Sequence, residues 1–215
     1  MTEHATGTRG IAIALIGYLM LVVLQLIAYF LTNVLVLLAQ ALEMLSDTLI
    51  STLLLLAVFY SRRPADEFHM LGHGRAQNVA ALVSAIIFIS FMSLEVFREA
   101  IPKLLQTEVD GFQSTNLALT VILVGMFVVA IPTVDILRVK VRGASARAQL
   151  IALLKDEVSY VAALIAAVLV QQGYYLADPL ASVFVAALIA FSGLYLFKEN
   201  VHYLLGRAPG REFIE

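Results

Sequence analysis

The stretch from 34 to 60 reads VLVLLAQALEMLSDTLISTLLLLAVFY. A helix of roughly 20 apolar residues crosses about 30 Å of hydrocarbon, so this run is long enough to span a membrane. It carries two acids, Glu43 and Asp47, and no other charge falls between Gly10 and Tyr60. An ionisable side chain inside a bilayer is costly, which makes such residues markers of an ion pathway or a buried partner. The i,i+4 spacing sets both carboxylates on one helix face. Two oxygen donors aimed at one point within a membrane are what a cation or proton route requires.

The rest of the chain has the same character. Its 215 residues are 61% hydrophobic and 14% charged, with a mean hydropathy of +0.91; this excludes an ordinary soluble domain and makes the lipid bilayer its surroundings. The basic residues are few and scattered, which argues against a nucleic-acid partner. The chain has no cysteine, so disulfides, thiolate metal sites and thiol redox chemistry are out of reach. The first apolar run has a single Arg ahead of it and no small-residue cleavage site of signal-peptide type, so it reads as a retained span.

Six segments are long and apolar enough to cross: about 11–31, 34–60, 79–101, 113–137, 147–171 and 179–200. The expectation is an all-α polytopic membrane protein, a bundle of six transmembrane helices. Thr32-Asn33 makes a tight turn between the first two helices. Asp178-Pro179 reads as an N-cap followed by proline at the first position of the sixth. Residues 1–204 form the transmembrane domain and 205–215 a short cytoplasmic tail. Orientation follows from Lys and Arg in the short loops. Arg62, Arg63 and Arg75 lie between spans two and three, and Arg138, Lys140, Arg142 and Arg147 between four and five. Arg9, Lys198, Arg207 and Arg211 are near the termini, whereas the opposite side has only Arg98 and Lys103. Both termini are therefore expected in the cytoplasm, with the chain integral to the cytoplasmic membrane.

A second acidic group, Lys155-Asp156-Glu157, interrupts span five. Neighbours on a helix point about 100° apart, so only one or two of these face the Glu43/Asp47 pair. Asp156 is the better choice, because Ala152, Ser159 and Ala163 on its face are small and admit a partner helix. Lys155 then neutralises Glu157 or snorkels to the nearer interface. Glu43, Asp47 and Asp156 together would offer three hard oxygen ligands. These suit Mg²⁺, Mn²⁺, Fe²⁺ or an oxygen-liganded Zn²⁺. Three carboxylates cannot stay ionised and uncompensated in a low dielectric, so metal and protons compete for them. The bland alternative is an ion-pair network in which Lys155 is the partner of these acids.

The loop after span two holds Asp66, His69 and His73 within eight residues, a mixed N/O set of the kind Zn²⁺ accepts. Elsewhere Glu95 and Arg98 are spaced to pair, as are Asp135 and Arg138, while His4 and His202 are lone and terminal. No nucleophile-base pair, phosphate loop or cofactor motif is visible. An enzyme is therefore not expected, and no cofactor is required.

The order Ala39-Gln40-Ala41-Leu42-Glu43-Met44-Leu45-Ser46-Asp47, Ser61-Arg62-Arg63-Pro64-Ala65-Asp66, Gly72-His73-Gly74-Arg75, Ala177-Asp178-Pro179-Leu180 and Leu204-Leu205-Gly206-Arg207-Ala208-Pro209 resembles the cation diffusion facilitator, or cation efflux, family over essentially the whole chain. The resemblance implies a six-helix, usually homodimeric exchanger that exports Zn²⁺ or a related divalent ion from the cytoplasm against protons. It also implies a transport site of two residues four apart on the second helix and two on the fifth. Glu43 and Asp47 match the first pair. Counting back from Asp178 sets Asp156 at the second fifth-helix position and Ala152 at the first, which leaves three protein ligands and no imidazole. Gln40 and Gln77 stand where the family commonly has acids. Asp66, His69 and His73 match a loop zinc site of some members, and the family's usual C-terminal cytoplasmic domain is absent after 205.

Two functions follow. The first is a divalent-cation efflux transporter, a metal/proton antiporter working by alternating access, with Zn²⁺ as the family's usual cargo and Mn²⁺, Fe²⁺, Cd²⁺ or Mg²⁺ also fitting carboxylates. The second is a non-transporting membrane sensor or scaffold whose degenerate site is held by Lys155.

Overall fold

The structure, a computed structural model, describes the backbone at 2–64, 66–67, 70, 72–74, 76–105, 115–139 and 144–205. Within these, side chains are described from 16 onward, apart from 88, 135–139, 144–152, 199 and 203. The described residues hold seven α-helices and no strand: α1 (Thr2–Thr32), α2 (Leu35–Ser61), α3 (Ala76–Ser84), α4 (Ser90–Leu105), α5 (Thr115–Val139), α6 (Ala144–Gln171) and α7 (Ala177–Leu204). A single π-helical turn, Ala85–Ile89, joins α3 to α4, so the seven make six rods. Each rod overlaps one of the six apolar segments of the sequence, extended by a few residues at most ends and by nine at the start of α1.

Leu35–Ser61, Ala76–Leu105, Thr115–Val134 and Ala177–His202 are long and apolar enough to cross a membrane. The described apolar part of α1, Ile16–Thr32, is shorter, and α6 is interrupted by Lys155, Asp156 and Glu157. Large apolar side chains such as Phe30, Leu56, Phe91, Phe127 and Phe191 point outward. Inside, many contacts are made by alanines, among them Ala28, Ala39, Ala118, Ala163, Ala167 and Ala186. That inversion is a bilayer pattern: lipid removes the hydrophobic drive between helices, and small residues allow close backbone approach. The molecule is an all-α integral membrane bundle.

The packing is built from neighbours. α1 lies along α2, α5 along α6 and α4 along α7, whereas α2 meets α6 over only a short length. The α1–α2 corner is made by Asn33 at φ 56°, a left-handed conformation that Asn tolerates better than most residues. The Asn33 N–H donates to the Tyr29 carbonyl at 2.8 Å. Lys103 of α4 donates to both the carbonyl and the side-chain oxygen of Asn33, each at 3.2 Å.

Asp178 does not act as the cap of its own helix. α7 begins at Ala177, and the fully buried Asp178 carboxylate turns to α2 instead. Its Oδ2 accepts the Leu35 N–H at 2.7 Å and its Oδ1 the Val36 N–H at 2.8 Å. The first N–H groups of any helix lack intrahelical partners, and Val34 before α2 offers no side-chain cap. A carboxylate from another helix supplies what the local sequence omits, and its charge complements the positive end of the helix dipole.

Asp178→Ala should strand both N–H groups and destabilise the fold by about 2 kcal/mol or more, seen as a lower thermal midpoint in detergent. Asp178→Asn, which keeps one acceptor, should lose less.

Candidate functional site

Glu43 and Asp47 lie one turn apart on α2, about 12 to 18 Å along a helix roughly 40 Å long. That depth is near mid-membrane, where transporters of many folds hold their substrate. Lys155 and Asp156 face them from α6. The Lys155 Nζ stands 3.0 Å from Glu43 Oε1, 3.0 Å from Asp156 Oδ1 and 3.8 Å from Asp47 Oδ2. One ammonium is thus shared by three carboxylates from two helices. Lys155 therefore does not serve as the neutralising partner of Glu157 or reach for the interface. Three inward acids outweigh one neighbouring acid, and the four-carbon stem is long enough to cross to α2.

The other oxygen of Glu43 is also occupied. Ser159 Oγ donates to Glu43 Oε2 at 2.5 Å, and Gln40 Nε2 donates to Ser159 Oγ at 2.6 Å. Gln40, Glu43 and Ser159 are all buried. This relay from α2 to α6 and back fixes the Glu43 side chain in one orientation. Ser159 reads in the sequence only as a small residue. The overlooked signal is that Lys155 and Ser159 are themselves i,i+4 on α6, so the face that meets Glu43 is theirs. Next to Ser159, Tyr160 is buried and accepts a hydrogen bond from Gln25 of α1 at 2.7 Å. A Cβ on Gly125 of α5 would strike the Tyr160 ring, so α5 can lie beside α6 only because that position is glycine.

Exposure separates the two α2 acids: the Glu43 side chain is 5% exposed and that of Asp47 44%. Asp47 is therefore the more accessible of the two. A cavity of about 10 Å³ adjoins the cluster, lined by Glu43, Ser46, Asp47, Lys155, Ser192 and two isoleucines. That is about the room of one water molecule. One of the isoleucines, Ile89, belongs to the π-helical turn and packs on Gly193 of α7 so closely that a Cβ there would overlap it. Among the described residues, no three His, Asp or Glu side chains are gathered closely enough to hold a metal ion. Glu43, Asp47 and Asp156 are spread around an ammonium instead. Ala152 lies one turn before Asp156 on α6, and its side chain is outside the described residues.

In the loop after α2, His73 is buried, with Nε2 3.7 Å from Asp66 Oδ2 and its ring edge-on to Tyr60. His69 lies outside the described residues. An open apolar groove of about 590 Å³ runs between α2 and α3 beside His73. Leu53, Leu56, Val79 and Val83 on its walls suit hydrocarbon better than an ion. Glu95 and Arg98 pair at 3.6 Å on α4, while the Asp135 and Arg138 side chains are outside the described residues.

Comparison with known proteins identifies the family. Residues 11–205 match the family model described as the cation efflux transmembrane domain. The cation-efflux pump FieF of Serratia proteamaculans is 32% identical over 188 residues, 87% of this chain and 62% of that one. FieF of Yersinia enterocolitica is 33% identical over 191 residues, again 87% and 62%. A protein of Bacillus velezensis named as a cadmium, cobalt and zinc/H(+)-K(+) antiporter is 29% identical over 218 residues, 97% of this chain and 67% of its own. The chain thus spans less than two thirds of the FieF proteins it matches. With six helical rods, acids at mid-depth on α2 and α6, and a family match over nearly its whole length, the chain belongs to the cation efflux family of membrane proteins.

Proposed function

We propose that the chain is the membrane portion of a divalent-cation efflux transporter that exchanges metal for protons by alternating access, with Glu43, Asp47 and Asp156 as its transport site. The observation that carries this reading is the convergence of three carboxylates from α2 and α6 on a single cation, the Lys155 ammonium, at mid-depth. The name of the Bacillus relative gives cadmium, cobalt and zinc exchanged for protons and potassium, which supports metal and protons as exchanged species. Hard oxygen donors accept Zn²⁺, Cd²⁺, Mn²⁺, Fe²⁺ or Mg²⁺, and Zn²⁺ is the usual cargo of the family this chain resembles.

The mechanism follows from charge. Three carboxylates in a low dielectric demand compensation. The ammonium supplies one positive charge and two protons supply the rest, so one divalent ion can take the place of both protons. Metal entering from the cytoplasm reaches Asp47 first, then Glu43 and Asp156. On the outer side protons return. Opening alternately to each side requires α2 and α6 to part, and their contact is short.

We also propose that the protein works as a homodimer in the cytoplasmic membrane with both termini in the cytoplasm, as the basic loops support. Asp66 and His73, with His69, would form a cytoplasmic loop site for Zn²⁺. A second reading, a non-transporting sensor or scaffold, is favoured by one observation: as placed, the three acids hold an ammonium rather than a metal-sized gap.

Proteoliposome flux separates the two. Metal-driven proton movement should vanish in Asp47→Asn and in Asp156→Asn, and its persistence in both would leave the site reading without support. Ala152→His, which restores an imidazole at the fourth position, should shift preference toward Zn²⁺ in a competition among Zn²⁺, Mn²⁺, Fe²⁺, Cd²⁺ and Mg²⁺. An unchanged order of preference would count against the Ala152 register.

A further inference from the structure

We infer that Lys155 is a tethered cation that occupies the transport site between exchanges, and that a divalent ion loads by displacing its ammonium. The inference rests on Glu43, Asp47 and Asp156 forming the transport site. It adds a residue that sets what the site will accept.

Geometry makes displacement necessary. A small divalent ion bound by these acids would sit roughly 2.0 to 2.2 Å from their oxygens. Nζ already stands 3.0 Å from both Glu43 Oε1 and Asp156 Oδ1. An ion bound to the same two oxygens competes with the ammonium for them. The acids cannot all turn away to make a second site, because Ser159, itself held by Gln40, donates to the remaining oxygen of Glu43. The ammonium must therefore move, and the structure offers it a place. The adjoining cavity of about 10 Å³ is lined by Lys155 and by Ser46. Among the described residues, the buried Ser46 hydroxyl has no hydrogen-bond partner. An ammonium is close to water in size, and its stem has several rotatable bonds.

Charge makes displacement possible without expelling Lys155 from the protein. Three carboxylates are matched in full by one divalent ion and one ammonium beside it, so Lys155 stays ionised in both states. Tethering gives the ammonium a high local concentration that no free ion shares. A monovalent ion offers the acids no more charge than Nζ does and lacks the tether, so it loses. A divalent ion offers twice the charge and wins. Lys155 thereby sets a threshold that admits divalent and refuses monovalent cations.

Equilibrium binding of radiolabelled Cd²⁺ to the purified chain in detergent tests this, in an Asp66→Ala/His69→Ala/His73→Ala background that silences the loop. Lys155→Met should tighten the apparent Kd by about tenfold or more, and Lys155→Arg, which keeps the charge, should stay near the parent. Binding that appears only in Lys155→Met would support the inference equally. Should the methionine variant fail to melt cooperatively, Lys155→Gln takes its place. If Asp156→Asn abolishes binding while Lys155→Met leaves it within twofold, the tethered-cation role is overturned and the site stands. If Lys155→Met melts normally but loses binding, Lys155 merely positions the acids and the inference is again overturned. If Asp47→Asn and Asp156→Asn both bind as the parent does, or if nothing binds in any variant, the site reading fails and this inference with it.

Discussion

Within hydrocarbon, a charge has no water to turn to and must find its complement inside the protein. That constraint organises the polar interior of this bundle. Asp178 satisfies it on the open N–H groups of α2. The neutral pair Gln25 and Tyr160 meets the parallel need for a hydrogen bond across α1 and α6. Glu43, Asp47 and Asp156 satisfy it on Lys155. Each arrangement joins two helices that are distant in sequence. The apolar contacts between helices are made largely by alanine and other small residues, which allow close approach but specify little. Register in the bundle is therefore fixed by a few buried polar links.

Much of the architecture was legible in the amino-acid order because hydrocarbon thickness fixes helix length and turn residues mark the breaks. The six rods, the Asn33 corner and the acids of α2 could all be read this way. The polar partnerships were harder, since they depend on which helices become neighbours. Asp178 beside a proline has the local signature of an N-cap, but α2 starts without a side-chain cap and the carboxylate goes where unpaired N–H groups are. Lys155 next to Glu157 suggests a local pair, with an ion-pair network around Lys155 as the alternative. The approach of α2 brings Glu43 and Asp47 to the ammonium beside Asp156, which is the network arrangement. The π-helical turn at Ala85–Ile89 had no sequence signal of its own, and its close fit to Gly193 of α7 is a matter of tertiary packing.

The polar contacts around Glu43 are connected in space. Gln40 donates to Ser159 and through it supports Glu43. Glu43 has one more methylene than Asp, which lengthens its reach toward α6. Lys155 adds a positive charge 3.0 Å from Glu43 Oε1. Hydrogen bonds and an ammonium together hold this buried carboxylate in place.

The short meeting of α2 with α6 has a mechanical consequence. Asp178 stitches the start of α2 to α7, and Lys103 pins the α1–α2 corner to α4, so that end of the bundle is tied together by polar links. Halfway along, α2 and α6 are joined by an ionic latch rather than by an interlocked apolar seam. Parting an apolar seam costs roughly in proportion to the surface it exposes, whatever ion is present. Parting a latch costs according to which cation is in it. Under the proposed transport reading, the occupant of the acids would govern the height of the barrier to movement, and chemical selectivity and mechanical timing would become one property.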